Sequence, residues 1–407
     1  MLTNDTIANS ATQPARRGTH RALDTLANRV SAHRATSRFT TRNKLRSLTS
    51  VQRVRDCGQA LAYDRAFVHL TRNEHGNAYY SGLETCRRVW LCPVCAPRIS
   101  AKRAHELQAQ IEGWLAGGGA VWFLTLTFPH DYADALKVSA PLAAKAFTAV
   151  RRGRAAEEDR QRYGIVGYVR ALEVTTGPSG WHPHLHVLFF LTRPRGVRAR
   201  RALHAALVAR FTRFIVRAGF RPPDIRNCPI EVVETAQVGA YVAKANGTAR
   251  EMTAGHLKQG RGTSRSPMQL LADAIDGHTD SRTRWAEYEH GMHGRRQLTY
   301  SRGLRELLSP DDVPEADAFV AESSDYQALA LLSSEGAAIE PSLWHRISHV
   351  DGLDRAILIA FQGGGYPAAL ACLRHGLDGA ANANIEARFR PLGSLVEDGP
   401  SPCGSTN

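Results

Sequence analysis

The chain has 407 residues, 43% of them hydrophobic, so it is long enough for two or three globular domains with buried cores. Lysine and arginine number 52 against 38 acidic residues, and residues 301–407 carry a net charge of −8, so the basic excess lies within residues 1–300. This balance predicts a polyanionic partner, most simply nucleic acid. No apolar run approaches the roughly 20 residues of a membrane span, and no secretory leader is recognised. We therefore expect a soluble cytoplasmic protein with no membrane partner.

Composition changes along the chain and predicts five regions. They are a basic, disordered arm over residues 1–50, a cysteine-rich module with a linking helix over 51–118, a central domain over 119–250, a basic loop region over 251–305 and an acidic, mainly helical region over 306–407. The arm is polar and arginine-rich, a composition that buries too little apolar surface to fold. The acidic region has apolar helical patterns near 326–332 and 353–361. Whether it forms a homodimer or binds a host factor is left open.

Four cysteines cluster in the second region: Cys57, Cys86, Cys92 and Cys95. A Cys-x-x-Cys turn offers two thiolates to one tetrahedral zinc, and the two earlier cysteines can complete a closed structural Zn²⁺ site. A redox-active pair is the alternative interpretation of the same turn. The arginine-rich flanks and the helix predicted at 98–115 favour zinc, because a redox pair is typical of a β-α-β unit.

Strands and helices alternate through the central domain. The predicted elements are a strand over 121–128, a helix over 134–152, strands over 166–175 and 182–191, a helix over 198–218, a strand near 230–233 and a helix over about 235–244. This β-α-β-β-α-β-α order predicts an α+β fold, with a central antiparallel sheet of the split β-α-β topology seen in ferredoxin-like and RRM-like domains.

The helix predicted over 198–218 lies in a strongly basic stretch, with ten arginines and one acidic residue between positions 193 and 226. Such a helix suits the phosphates of a nucleic-acid backbone, although a solvated face without a partner is the alternative. A basic loop at 255–267 is either a further DNA contact or simply mobile. The predicted DNA contacts are Arg198, Arg200, Arg201, Arg210, Arg213, Lys258 and Arg261.

One predicted strand carries His182, His184 and His186 at alternating positions, which points the three imidazoles to one face. Neutral imidazole is the commonest metal ligand in proteins. If the preceding turn centres on its proline and serine, Glu173 lies directly opposite His184, at a Cβ separation of about 5 Å. A one-residue slip would turn Glu173 away. Two histidines and a carboxylate, with positions left open, predict a catalytic divalent-metal site.

The last predicted helix of the central domain carries a nucleophile candidate. Positions three and four apart share a helical face, so Gln237, Tyr241 and Lys244 project together. A tyrosine phenolate can attack phosphorus and form a covalent phosphotyrosine, and a nearby lysine favours the phenolate. A helical tyrosine followed by a lysine is usually structural when it stands alone. Its position after the histidine strand favours the catalytic interpretation.

Residues 123–127, 182–186 and 241–244 resemble, in order and spacing, the three motifs of HUH endonucleases. They look most like the single-tyrosine initiators of rolling-circle plasmid replication. The segments 86–95 and 296–304 are similar to those initiators as well. The resemblance extends from about the first cysteine of the cluster to the end of the basic loop region.

The resemblance implies an HUH nuclease domain over 119–250 that nicks one strand of plasmid origin DNA, presented single-stranded or as an extruded hairpin. Tyr241 would attack the phosphodiester and stay on the 5′ phosphate, freeing a 3′-OH that primes synthesis. His184, His186 and Glu173 would hold Mg²⁺ or Mn²⁺ on the scissile phosphate, with His182 assisting or orienting the strand.

The chain departs from some relatives at the step that ends replication. Those relatives carry a glutamate four residues before the tyrosine to activate water, whereas this chain has Gln237 there and Glu234 one turn earlier. The terminating residue is therefore left open. The chain has no P-loop motif, so we expect a host helicase, and a host polymerase extends the primer.

Two rival interpretations remain open. A single-strand transposase of the HUH superfamily also pairs a cysteine cluster with a histidine site, whereas a conjugative relaxase usually has its tyrosine before the histidines. A zinc-containing DNA-binding regulator, in which the histidines only pack or hold a structural metal, belongs to another class. A metal-dependent covalent adduct on origin DNA would separate a nuclease from a regulator.

Overall fold

The computed structural model describes residues 38–63, 65–72, 78–233, 252–253, 257, 263–309, 336–377 and 384–392. The chain divides into two units. The larger unit comprises Phe39–Asp64 and Leu83–Asp325, and the smaller comprises Met1–Arg38, Arg65–Gly82 and Tyr326–Asn407. This division follows spatial contacts, so the smaller unit combines part of the predicted cysteine-rich module with the predicted acidic region. The five regions inferred from composition stay a prediction.

The described residues form antiparallel sheets and helices. The strands are β1 (Val68–Arg72), β2 (Ala78–Ser81), β3 (Ala120–Leu126), β4 (Ile165–Gly177), β5 (Gly180–Leu191), β6 (Ile230–Val233), β7 (Leu298–Tyr300), β8 (Ala337–Ile339) and β9 (Phe389–Pro391). The helices are α1 (38–45), α2 (Gln52–Arg55), α3 (Cys95–Ala116), α4 (Leu136–Val150), α5 (Arg154–Tyr163), α6 (Val197–Arg217), α7 (Pro267–Ile275), α8 (Thr279–Met292), α9 (Leu304–Leu308), α10 (Pro341–His349), α11 (Leu353–Gly376) and α12 (Ile385–Arg388). Every strand pairing is antiparallel, which confirms the α+β prediction.

The larger unit contains a five-stranded sheet with the order β6-β3-β5-β4-β7. The elements predicted from β3 to β6 are confirmed, with their ends within two residues of the predicted positions. Helix α5 and the edge strand β7 were not predicted. The helix predicted over 235–244 and the pattern near 326–332 lie outside the described residues, whereas the pattern at 353–361 falls within α11.

Strands β4 and β5 form a long hairpin in the predicted register. Gly177 pairs with Gly180 around a two-residue turn, and Glu173 lies opposite His184. Gly180 has a φ of +91°, and a Cβ there would lie 2.8 Å from the backbone oxygen of Asp131. Only glycine fits this position without strain, so the turn itself fixes the register that joins the carboxylate to the histidines.

The two faces of the five-stranded sheet are covered differently. On one face, here called the helical face, Leu185 and Phe189 of β5 join a core with α4 and α6. On the other, Leu188 and Phe190 pack with Leu107 of α3. Because side chains alternate along β5, its three histidines project on the same side as α3, near the hairpin turn. This surface is here called the histidine face.

Residues 38–45 form helix α1, although they belong to the arm predicted to be disordered. Leu45 is completely buried in the core of the larger unit, and Leu48 packs against the same core. Burying a leucine side chain stabilises the folded state by roughly 1.5–3 kcal/mol. This segment therefore folds against the core, although its composition is polar. The prediction of a disordered arm does not hold for residues 38–50.

The smaller unit has a four-stranded sheet with the order β2-β1-β8-β9. The hydroxyl of Tyr80 on β2 donates to the carbonyl of Asp354 on α11 at 2.8 Å. By length and composition alone α11 could cross a membrane, a test that the core helix of a soluble protein also passes. Its backbone leaves helical geometry at Gly364 and Gly365, and its first half is anchored on β2. It is weak evidence for a membrane span.

Candidate functional site

The histidine face carries a cluster of one carboxylate and two imidazoles. Oε2 of Glu173 lies 2.9 Å from Nε2 of His186 and 3.2 Å from Nε2 of His184. Glu173 and His186 are buried, whereas His184 is half-buried, so the cluster is accessible from one side. The hairpin therefore brings together the three residues predicted as ligands of a catalytic metal.

The cluster holds a negative charge in a buried position. Burial by itself raises the pKa of Glu173, but hydrogen bonds and charge from His184 and His186 outweigh burial and lower that pKa below its usual range. The carboxylate is therefore ionised at neutral pH. An ionised carboxylate beside two imidazole nitrogens is a favourable set of ligands for a cation.

Strand β3 supports the cluster from its neighbouring position in the sheet. Thr125 is paired with His186 across the β3–β5 ladder, and its Oγ1 lies 3.2 Å from Nδ1 of that imidazole. The ring of Phe123 stacks on the His186 ring at a centroid distance of 5.2 Å. With Nδ1 engaged by the threonine, Nε2 is the nitrogen directed at Glu173 and available to a ligand.

His182 lies beside the cluster but not within it. Its Nε2 is 3.2 Å from Oγ1 of Thr127, and its Nδ1 is 3.2 Å from Nδ1 of His130. Both ring nitrogens are thus engaged by side chains other than the three ligands. Burial, followed by the charges of His184 and His130, lowers the pKa of His182 to about 3, so its ring is neutral at neutral pH.

The sequence analysis missed His130, which contacts His182. The sequence feature that could have identified His130 is its position, three residues after Thr127 and just beyond the end of β3, the strand that neighbours β5. A histidine so placed returns to the same end of the sheet as the alternating histidines.

The distances in the cluster fit one divalent cation. Ligands of an octahedral Mg²⁺ lie about 2.1 Å from the ion and therefore about 3.0 Å from their neighbours. The separations of 2.9 and 3.2 Å from Glu173 to His186 and His184 agree with that value. Three protein ligands leave positions of an octahedron open for water or phosphate oxygens. The residues present thus suit Mg²⁺ or Mn²⁺.

The four cysteines predicted as a zinc site also meet in the larger unit. Cys57 lies 3.7 Å from Cys92 and 3.6 Å from Cys95, measured between sulfurs, and Cys86 lies 3.6 Å from Cys95. Sulfurs bound at 2.3 Å to a tetrahedral zinc are about 3.8 Å apart. All four thiols are free and buried. Because four thiols meet here and not only two, the cluster favours a structural Zn²⁺ site over a redox-active pair.

Helix α6, predicted to contact DNA, packs on the helical face and so lies across the sheet from the cluster. The exposed members of its predicted contacts are Arg198, Arg201 and Arg213. Arg200 is half-buried, and Arg210 forms an ion pair with Asp159 of α5. The exposed arginines of α6 therefore form a surface separate from the candidate metal site, and their contact with DNA stays a prediction.

The remaining predicted site residues lie outside the described residues: Glu234, Gln237, Tyr241, Lys244, Lys258 and Arg261. Strand β6 ends at Val233 beside β3, and residues 234–251 lie outside the described residues. The tyrosine and its predicted neighbours therefore stay predictions.

The fold and the two clusters define a class of basic α+β protein. Its larger unit has a carboxylate–histidine cluster on an antiparallel sheet and a cluster of four cysteines. A family model described as Replication protein matches residues 80–339, more than half of the chain. The chain belongs to this replication protein family, which confirms the resemblance to plasmid replication initiators found in its motifs.

Two proteins of Streptomyces species are similar in sequence to this chain, and the name of one of them refers to replication. The chain is 28% identical over 350 residues to a protein of Streptomyces lividans named Protein rep, covering 69% of this chain and 76% of that protein. It is 32% identical over 148 residues to a protein of Streptomyces cyanogenus named Neomycin resistance protein, covering 30% of this chain and 34% of that protein. No solved structure matches the chain.

Proposed function

We propose that this protein initiates plasmid replication by nicking one strand of origin DNA with a tyrosine nucleophile. The observation that carries the proposal is the cluster of Glu173, His184 and His186, which is accessible from one side and spaced for a divalent cation. Membership of the replication protein family supports an initiator over a transposase. The position of β5 between β3 and β4 supports the split β-α-β topology of the HUH type.

The cluster residues would bind a metal ion, and neighbouring residues hold them in the right orientation. His184, His186 and Glu173 would hold Mg²⁺ or Mn²⁺, and the bound ion would polarise the scissile phosphate and stabilise the charge that develops on it. Thr125 fixes the orientation of His186 through Nδ1, so that Nε2 faces the ligand position. His182, whose two nitrogens are engaged elsewhere, orients the strand that carries the ligands.

Tyr241 supplies the nucleophile. Its phenolate oxygen bonds to phosphorus, and the bond from phosphorus to the 3′ oxygen of the preceding nucleotide breaks. The 5′ phosphate stays on the tyrosine, while the 3′ oxygen takes up a proton and becomes the primer end for host polymerase. Lys244 favours the phenolate. The glutamate that activates water in some relatives is replaced here by Gln237, with Glu234 one turn earlier, so the terminating residue is left open.

Formation of a covalent protein–DNA adduct tests the proposal. The full chain is incubated with Mn²⁺ and single-stranded oligonucleotides that tile the DNA next to its gene. We expect one strand to give a 5′ adduct that survives denaturation, depends on the metal and is absent in Tyr241→Phe. Tyr63→Phe, at a fully exposed position, is the matched control and keeps the adduct. A wild-type chain that forms no adduct on any strand supports the zinc-containing regulator.

A further inference from the structure

A cavity of about 640 Å³ in the larger unit is strongly basic. Its walls come from the loop between Cys86 and Cys92, from α3 and from residues 292–306. Seven arginines line it, against a single acidic residue, Glu306. This cavity is here called the arginine groove. Charge of one sign lining a concave surface focuses the field and attracts a polyanion.

Three of the seven arginines are already held by neighbours. Nε of Arg295 donates to the carbonyl of Gly291. Nη1 of Arg103 donates to Oε1 of Gln297 at 2.8 Å, and Nη2 of Arg305 lies 3.5 Å from Oε2 of Glu106. Both contacts join α3 to the segment that carries β7 and α9. These three arginines shape the groove, and the other four are left to meet a ligand.

The remaining arginines present their charge to the groove. Arg87, Arg296 and Arg302 are exposed, each on one of the two facing segments. Nε of Arg88 is buried and has no hydrogen-bond partner within the described part of the chain.

The groove is held in a fixed shape. The indole Nε1 of Trp90 donates to the carbonyl of Arg295 at 2.9 Å and so ties one wall to the other. The loop begins at Cys86 and ends at Cys92, both members of the cysteine cluster. Within it Arg87 has a φ of +51°, a left-handed conformation that non-glycine residues rarely adopt. The surrounding contacts impose that conformation and present the arginine.

The groove lies close to the candidate metal site. Leu298, which lines it, pairs with Ala171 of β4, two residues before Glu173. Neighbouring strands are about 4.8 Å apart and rise about 3.4 Å per residue, so the Cα atoms of Leu298 and Glu173 are about 8 Å apart.

We propose that the arginine groove binds the phosphodiester backbone of DNA through Arg87, Arg88, Arg296 and Arg302, next to the candidate metal site. The inference rests on the proposed function only in taking DNA as the partner. A guanidinium matches phosphate with two parallel hydrogen bonds, and a DNA strand supplies a row of phosphates that fits a row of arginines. Contacts of this kind hold the strand in place and carry no sequence information.

The salt dependence of DNA binding tests the groove. Because backbone contacts are independent of sequence, a labelled duplex and a labelled single strand of mixed sequence are sufficient probes. The variant Arg87→Ala/Arg296→Ala removes one exposed charge from each wall. The matched control is Lys137→Ala/Lys145→Ala, which removes two exposed charges from α4 on the helical face. All three proteins are studied as the full chain with zinc present.

We expect the groove variant to bind at least about tenfold more weakly, with the slope of log affinity against log salt reduced by about two for the duplex. The control keeps the affinity and the slope of the wild type within the error of the measurement, or loses much less of either. The duplex and single-strand arms show which form the groove prefers.

Equal affinity and slope in the groove variant and the wild type overturn the inference. The adduct assay, run on the same preparations, separates this result from failure of the proposed function. If the wild type forms no adduct but the groove variant still binds DNA more weakly, the nicking reaction is contradicted and DNA binding by the groove is supported. A wild type that forms the adduct and a groove variant with unchanged binding contradict the groove alone.

Discussion

Thr125→Val is expected to weaken metal binding without unfolding the sheet. Oγ1 of Thr125 lies 3.2 Å from Nδ1 of His186, and the two residues are paired across the ladder between β3 and β5. Valine has nearly the same shape and an equal preference for strands, so it removes this hydrogen bond and little else. His186 then loses the contact that directs Nε2 toward Glu173.

The size of the effect follows from the role of such outer partners. Loss of a residue that orients a metal ligand costs roughly 10- to 100-fold in metal affinity, and every tenfold corresponds to about 1.4 kcal/mol. We therefore expect the dissociation constant for Mn²⁺ to rise 10- to 100-fold, by titration calorimetry on the full chain, with the same stoichiometry and an unchanged Tm.

Thr127→Val, one residue beyond the end of β3, is the matched control. Its hydroxyl contacts His182, which lies outside the set of three ligands, so Mn²⁺ affinity should stay close to that of the wild type. An unchanged affinity in Thr125→Val, or an equal loss in both variants, would refute the assignment of His186 as a ligand oriented from β3.

Three further outcomes follow from the buried residues. Glu173→Gln removes the negative charge of the cluster, so calorimetry should show no Mn²⁺ binding and the adduct assay no product, whereas residual tight binding would contradict its role as a ligand. Cys92→Ser replaces one of four gathered thiols, and elemental analysis should find one zinc in the wild type, none in the variant, and a lower Tm for the variant. Phe211→Ala opens a cavity under α6 and should cost about 3–5 kcal/mol in urea denaturation; a loss below about 1 kcal/mol would place Phe211 outside the core.

The β4–β5 hairpin could be predicted from the sequence because its information is local. Glycines flank a two-residue turn, and the alternating residues on either side leave one register that buries the apolar set. Counting back from the turn was enough to place Glu173 opposite His184. The meeting of the four cysteines could be predicted equally well, because a group of four thiols is typical of a structural metal site.

The arginine groove could not be predicted, because its parts are distant along the chain. Strand β7 has three residues and no periodic pattern, and it joins the sheet only through its pairing with β4. The ion pair of Arg210 with Asp159 was missed for a related reason, since α5 was not predicted. In the smaller unit, β1 pairs with β8, a contact that no local pattern indicates.

The hairpin that carries the candidate ligands also has a consequence for the order of folding. Glu173, His184 and His186 lie within one local element, and hairpins form in about 1–10 μs. The chain is synthesised at about 5–20 residues per second, so β7 follows the hairpin by roughly 6–20 s. The three ligands can therefore meet on the ribosome before the arginine groove has its second wall.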